Sequence, residues 1–101
     1  MTNPILVLLV RFRSALSFEE IMRVAEERAH EFRALGGLEQ KYYLEDASSD
    51  EYAGLYFWES PDALAAFQES ELRAGIMEAY RVEGEPRVEV YRVVKTLREA
   101  S

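Results

Sequence analysis

Apolar runs and amphipathic segments alternate along this chain. Ile5 to Phe12 (ILVLLVRF) is almost continuously apolar, which is typical of a strand covered on both faces. Ser17 and Glu20 then form a capping-box pattern, and apolar residues recur at helical spacing as far as Leu35. Gly36-Gly37 supplies a left-handed stop. The pattern therefore predicts a strand followed by an amphipathic helix.

Two strands and the start of a second helix follow. Leu38 to Glu45 and Tyr52 to Trp58 are rich in aromatic and aliphatic residues, and the polar turn Asp46–Asp50 separates them. Ser60-Pro61 predicts a helix N-terminus, because serine is a good N-cap and proline suits the first helical position.

The last third of the sequence predicts an interrupted helix and a fourth strand. We expect the helix to bend or break near Ser70 and Gly75. Gly84-Glu-Pro86 predicts a turn, and Arg87 to Val94 predicts the last strand. The order βαββαβ indicates one ferredoxin-like α+β domain over residues 1–101, with two helical segments on one face of an antiparallel sheet.

The first and third strands predict a partner. In an isolated domain of this kind, one sheet face meets the helices and the other faces water, but Ile5–Val10 and Tyr52–Trp58 are apolar on both faces. A chain of 101 residues has no third layer with which to cover the second face. We therefore expect a homodimer whose sheets pack face to face, with the edge strands also pairing across subunits.

Composition excludes several kinds of partner. The net charge of −7 argues against nucleic acid, whose binding needs a basic patch. The apolar run Pro4–Val10 is far shorter than a membrane span. With no cysteine and a single histidine, His30, we expect no metal site and no disulfide, and a cytoplasmic location.

The segment between Gly37 and Phe67 carries a family resemblance. The matching residues are Gly37-Leu38, Lys41, Tyr43, the run Ala53-Gly54-Leu55-Tyr56-Phe57-Trp58, Ser60, Ala63 and Phe67. With these residues the chain resembles the dimeric α/β-barrel proteins of the antibiotic-biosynthesis-monooxygenase type, and among them the YdhR-like group. The resemblance implies a dimeric α/β barrel and, for some members, oxidation of quinols or anthrones without a cofactor.

Two positions depart from the family's haem-degrading members. Those proteins carry a tryptophan and a haem-ligating histidine on the second helix, where this chain has Phe67 and Met77. A thioether does not replace the proximal imidazole of that chemistry. We therefore expect no haem and no other cofactor.

Lys41 and Tyr43 are the candidate catalytic residues. A lysine in the middle of a strand could stabilise an anion that forms on the substrate, although a lysine that protects a sheet edge is the more ordinary explanation. Five further residues are candidates for ligand binding, and packing in the core is again the ordinary alternative. They are Tyr56, Trp58, Phe67, Met77 and Tyr80.

Two functions remain open at this point. The first is a cofactor-independent monooxygenase acting on a small electron-rich aromatic compound of the quinol or anthrone kind. The second is a non-catalytic dimeric module that binds a small hydrophobic ligand. The family resemblance favours the first function, and the absence of an evident acid–base pair favours the second.

Overall fold

The computed structural model describes residues 3–98. Within that range no helix is long and apolar enough to cross a membrane. The elements in chain order are β1 Leu6–Ser14, α1 Phe18–Arg33, β2 Leu38–Asp46, β3 Glu51–Trp58, α2 Pro61–Gln68, α3 Glu71–Ala74, α4 Ile76–Ala79 and β4 Val82–Arg92.

The strands form one antiparallel sheet in the order β2-β3-β1-β4. This confirms the predicted α+β, ferredoxin-like βαββαβ fold. The core lies between one face of the sheet and the helices. Its most buried members come from the two central strands and from α1, α2 and α4, and include Leu8, Val10, Ile21, Phe32, Tyr56, Trp58, Leu64, Phe67 and Ile76.

Both predicted helix starts are observed. The Ser17 hydroxyl accepts a hydrogen bond from the Glu20 amide at 3.2 Å, and the Glu20 carboxylate accepts one from the Ser17 amide at 2.9 Å. These bonds to Ser17 hold the pKa of Glu20 below its usual value. Ser60 accepts from the Ala63 amide at 3.1 Å, and Pro61 is the first residue of α2. These contacts satisfy amides that a helix N-terminus leaves without a partner.

The second helical segment is interrupted twice, as its sequence predicts. α2 ends at Gln68, and Ser70 caps α3 by accepting from the Arg73 amide at 3.1 Å. Gly75 separates α3 from α4. Ile76 of α4 and Tyr80, which directly follows α4, both lie in the core.

The predicted turn at Gly84-Glu-Pro86 is wrong. β4 begins at Val82, and these three residues lie inside the strand, opposite an irregularity between Arg11 and Arg13 of β1. Gly84 adopts a φ of 71°, which bends the backbone there. β4 is an edge strand, where a proline is tolerated because one row of its amides needs no partner.

The sheet face that turns away from the helices is also apolar. Directly paired residues share a face, and the register places Val7, Leu9, Leu55 and Phe57 on it. Tyr42 packs edge-on against Phe57 with ring centroids 5.9 Å apart and remains 51% exposed. We call this surface the outer face.

Gly37 sets the approach of β2 to α2. Its φ is 85°, and a Cβ atom built on it would lie 2.3 Å from the Cβ of Ala63. The Gly37 carbonyl accepts a hydrogen bond from the Glu59 amide at 2.9 Å, which ties the start of β2 to the end of β3. Only glycine satisfies both the backbone conformation and the contact.

Gly37→Ala should destabilise the fold by about 2–4 kcal/mol, because it adds left-handed strain to a steric overlap. Urea unfolding followed by circular dichroism measures the change. Gly36→Ala is the matched control. A Cβ at Gly36 meets nothing within 4 Å, so we expect a change within about 0.5 kcal/mol. Equal stability of the two variants would contradict the role given to Gly37.

Candidate functional site

A β-bulge in β2 decides which residues of that strand face the helices. Leu38 pairs with Trp58 and Gln40 pairs with Phe57, so β2 carries one residue more than β3 at this point. Side chains alternate along a strand, so one extra residue reverses the face of everything that follows. Without the bulge, Lys41 would face away from the core.

The bulge turns Lys41 and Tyr43 inward and Tyr42 outward. Lys41 pairs with Tyr56, and Tyr43 pairs with Gly54, both on the helix-covered face. β2 lies at the edge of the sheet, so Lys41 belongs to an edge strand. Its side chain, however, runs beneath α1.

Three aromatic rings surround the amine of Lys41. Nζ lies 3.5 Å from the ring centroid of Phe32, 4.4 Å from that of Tyr43 and 4.6 Å from that of Tyr56. Phe32 comes from α1, and the two tyrosines come from neighbouring strands. We call Phe32, Tyr43 and Tyr56 the aromatic cage.

No carboxylate of residues 3–98 forms a salt bridge with Lys41. Burial, and secondarily the positive charge of Arg28, lower the pKa of Lys41 from 10.5 to about 7. The ring faces attract an ammonium group and offset part of this cost, at about 0.5–2 kcal/mol each. The neutral amine is therefore accessible near neutral pH.

Arg28 holds α1 to α3 beside this site. Its Nη2 donates to the Leu72 carbonyl oxygen at 3.2 Å, whereas its buried Nε has no hydrogen-bond partner among residues 3–98. Arg28 thus adds positive charge near Lys41. The cavity beside Lys41 is lined by Arg33 as well as by the acidic residue Glu39. Within the same range no group of three or more histidine, aspartate or glutamate residues is placed to hold a metal ion.

Two cavities meet at Lys41 and Tyr43, which line both. The larger is open and has a volume of about 350 Å³; it lies between α1 and the start of β2, and Phe32 and Arg33 form part of its wall. The smaller has a volume of about 30 Å³, which is room for a water-sized group, and reaches toward Tyr56 and Tyr80. A small aromatic ring fits the larger cavity, and Lys41 forms part of its wall.

Gly54 leaves room for the ring of Tyr56 in the wall of the smaller cavity. A Cβ on Gly54 would lie 2.9 Å from the ring of Tyr56, so the ring occupies the volume that a side chain would otherwise fill. Burial raises the pKa of Tyr56 and raises that of Tyr80 to about 12. Both phenols are thus neutral hydrogen-bond donors at neutral pH. The Tyr80 hydroxyl is buried and has no partner among residues 3–98.

The structure separates the predicted ligand-binding residues into two groups. Tyr56 and Tyr80 line the smaller cavity. Trp58 and Phe67 pack against each other in the filled core, with centroids 5.1 Å apart and exposures of 0% and 2%, and neither lines the two cavities described above. Met77 is half-buried on α4 and lines neither of them. His30 is exposed on α1.

Sequence reasoning missed Phe32 and Arg28 as members of this site. Phe32 is one of the apolar residues that recur at helical spacing before Leu35, and that pattern does not reveal contact with a lysine of the next strand. Arg28 interrupts the same apolar stripe, between Ala25 and Ala29. A cation at a core-facing helical position was the available signal for a charge near the cavity.

Comparison with known proteins gives a clear result for the fold. No known family profile matches the chain, and no curated protein matches it. Solved structures do match. SnoaB from Streptomyces nogalater, described as a cofactor-independent oxygenase, superposes with a TM-score of 0.75 at 18% identity, over 95% of this chain and 99% of that one. The chain has the fold of this oxygenase.

Two further structures extend the comparison. A candidate antibiotic biosynthesis monooxygenase from Caulobacter crescentus CB15 superposes with a TM-score of 0.75 at 15% identity, over 92% of each chain. NE2512 from Nitrosomonas europaea, described as a protein of unknown function, gives a TM-score of 0.76 at 14% identity over the whole of both chains. The resemblance to the antibiotic-biosynthesis-monooxygenase type is thus confirmed at the level of the fold, whereas the YdhR-like grouping stays a prediction.

Lys41→Met should change how stability depends on pH. The pKa of Lys41 is lower in the folded chain than in the unfolded one, so the unfolded chain binds more protons between about pH 7 and 10.4. The free energy of unfolding of the wild type therefore increases as the pH rises through this window. Below about pH 7 the folded chain carries the whole cost of the buried ammonium group. We expect the variant to be more stable than wild type at pH 6, and to lose about 1–3 kcal/mol of that advantage by pH 10, a figure reduced for partial solvent contact.

Urea unfolding of both proteins from pH 6 to pH 10 measures this difference. Titratable groups that both proteins contain, including the tyrosines, affect both free energies of unfolding and cancel in their difference. Lys95→Met is the matched control because Lys95 is exposed, and it should show no such trend. A difference between wild type and Lys41→Met that stays constant with pH would show that Lys41 titrates like a solvated lysine.

Proposed function

We propose that this protein is a cofactor-independent monooxygenase acting on a small electron-rich aromatic compound of the quinol or anthrone kind. The observation that carries the proposal is the amine of Lys41. It is partly buried and lacks a carboxylate partner among residues 3–98, and Lys41 lines an open cavity of about 350 Å³. The fold shared with SnoaB supports the same reaction class.

Lys41 acts first as a proton acceptor. A neutral amine beside a bound phenol or an activated C–H group takes the proton, and the ammonium that forms stays next to the substrate anion. A group with a pKa near the operating pH is well suited to this transfer. The aromatic cage and the Tyr43 hydroxyl orient the flat substrate.

The substrate anion supplies the electrons that reduce oxygen. For an anthrone-like substrate, a ring CH₂ group and O₂ give a ring C=O group and one water molecule, so atoms and electrons balance without an external reductant. The protein contributes deprotonation and a positive charge near the anion. These are functions that side chains alone can perform.

We also propose that two copies of the chain associate through the outer face. Leu9, Leu55 and Phe57 lie on it, and Tyr42 and Tyr91 at its margins are 51% and 53% exposed. A contiguous apolar surface of this kind on a small domain favours a self-complementary interface. The cavities at Lys41 lie on the opposite side of the sheet, so an active site remains open in each subunit of such a dimer.

Lys41→Met should lower the rate of oxygen uptake with quinol or anthrone substrates by about a hundredfold or more, because it removes both the base and the charge. Tyr43→Phe removes one hydrogen bond and should lower the rate by about tenfold. The wild-type rate should rise with pH through about 7, since the neutral amine is the active form. An oxygen electrode in chelated buffer measures these rates.

Lys95→Met, which removes the chain's other lysine, should keep the wild-type rate. Equal rates in Lys41→Met and wild type would remove Lys41 from the reaction. If no substrate consumes oxygen but one of them quenches the emission of Trp58, the only tryptophan, the protein is the ligand-binding module instead. Tyr56 stacks on Trp58 at 6.2 Å, so a ligand at the cage lies close to that reporter.

Leu55→Glu should convert the dimer into a monomer, because it buries a charge at the centre of the outer face. Light scattering should give twice the chain mass for wild type and the single-chain mass for the variant, with circular dichroism confirming that the variant is folded. Ala66→Glu adds the same charge to the exposed surface of α2 and should remain dimeric. A monomeric wild-type protein at micromolar concentration would contradict the proposed association.

A further inference from the structure

Lys41 and Tyr80 line the same small cavity and offer complementary groups. Lys41 contributes an amine without a carboxylate partner, and Tyr80 contributes a hydroxyl that is buried, in a residue only 4% exposed, and without a hydrogen-bond partner among residues 3–98. A buried hydroxyl without a partner costs stability unless a ligand completes it. In one cavity, the amine can attack the carbon of a carbonyl group while the hydroxyl donates a hydrogen bond to its oxygen.

We infer that Lys41 is a carbonyl-reactive amine, which binds aldehydes and ketones covalently and reversibly as imines. The ligand class is a carbonyl group carried on an aromatic or apolar body. That body lies against the aromatic cage in the larger cavity, and the carbonyl carbon lies at Nζ. This activity needs neither oxygen nor turnover, so it stands independently of the proposed oxygenase function.

The reaction is balanced without a further reagent. The lone pair of Nζ attacks the carbonyl carbon, and the C=O π electrons move to oxygen, which takes a proton and becomes a hydroxyl group. The carbinolamine nitrogen loses a proton, the hydroxyl leaves as water after protonation, and the C=N bond forms. Tyr80 is the donor that polarises the carbonyl, because its phenol stays protonated at neutral pH.

The environment of Lys41 is the one that activates lysine nucleophiles. An amine removed from water and placed near a second cation is deprotonated at a pH where a solvated lysine is almost fully charged. Both conditions hold here, since the side chain is partly buried and Arg28 adds a positive charge nearby. Three rings surround Nζ, and Lys41 also lines the open cavity of about 350 Å³, through which a ligand reaches this side chain.

The composition of the chain makes the test direct, because its only lysines are Lys41 and Lys95. The protein is mixed with benzaldehyde and sodium cyanoborohydride under nitrogen between pH 6 and 9, and peptide mass mapping gives the benzylation rate of each lysine. We expect Lys41 to react at least about tenfold faster than Lys95 at pH 7. Its rate should level off above about pH 7.

A second readout uses 2,4-pentanedione, whose stable adduct with an amine absorbs in the near ultraviolet. The adduct at Lys41, located by peptide mass mapping, should form stoichiometrically with wild type and with Lys95→Arg, and no adduct should form at this position in Lys41→Arg, which keeps the charge but forms no imine. Tyr80→Phe should slow the reaction with both probes. Equal labelling of the two lysines at pH 7, or preferential labelling of Lys95, would overturn the inference whether or not the protein consumes oxygen.

Discussion

The register of β2 against β3 is the constraint on which the site depends. One extra residue between Leu38 and Gln40 sets the face of every later side chain in the strand. With the bulge, Lys41 and Tyr43 lie beneath α1; without it, Tyr42 would take that side, and Lys41 would join the outer face. Bulges often re-aim side chains beside functional sites, and this one places Lys41 against Phe32 of α1.

The placement of Lys41 has an energetic cost that packing elsewhere must offset. A buried amine without a carboxylate loses hydration and gains only the attraction of ring faces. Arg28 shares this situation in part, since its buried Nε has no hydrogen-bond partner among residues 3–98, whereas Arg11 is paired with carboxylates. On the outer face, Arg11 pairs with Asp46 and, at 3.0 Å, with Glu51, and hydrogen bonds from Ser48 and Arg11 hold the pKa of Asp46 well below its usual value.

The sequence predicted what local rules determine. Capping residues identified both helix starts, and the apolar runs identified the four strands, because hydrogen bonding at a helix end and burial of a strand depend on nearby residues. The β4 boundary failed because Gly84 and Pro86 usually make a turn, whereas at a sheet edge they bend a strand that continues. The position of Lys41 was predicted as a candidate site, but its direction was not, because a one-residue bulge has no distinct sequence signature.

Some aromatic residues pack in the core and others line a cavity, and this difference is also set by the tertiary structure and not by nearby residues. Trp58 and Phe67 are large and fully enclosed, and they meet the ordinary expectation for aromatic side chains in a core. Tyr56 belongs to both regions, since one face of its ring stacks on Trp58 while the ring also contacts the Lys41 amine. The rigid core thereby fixes one wall of the aromatic cage. An amine held against such a wall keeps its position when a ligand arrives, which is the preorganisation that both proton transfer and attack on a carbonyl require.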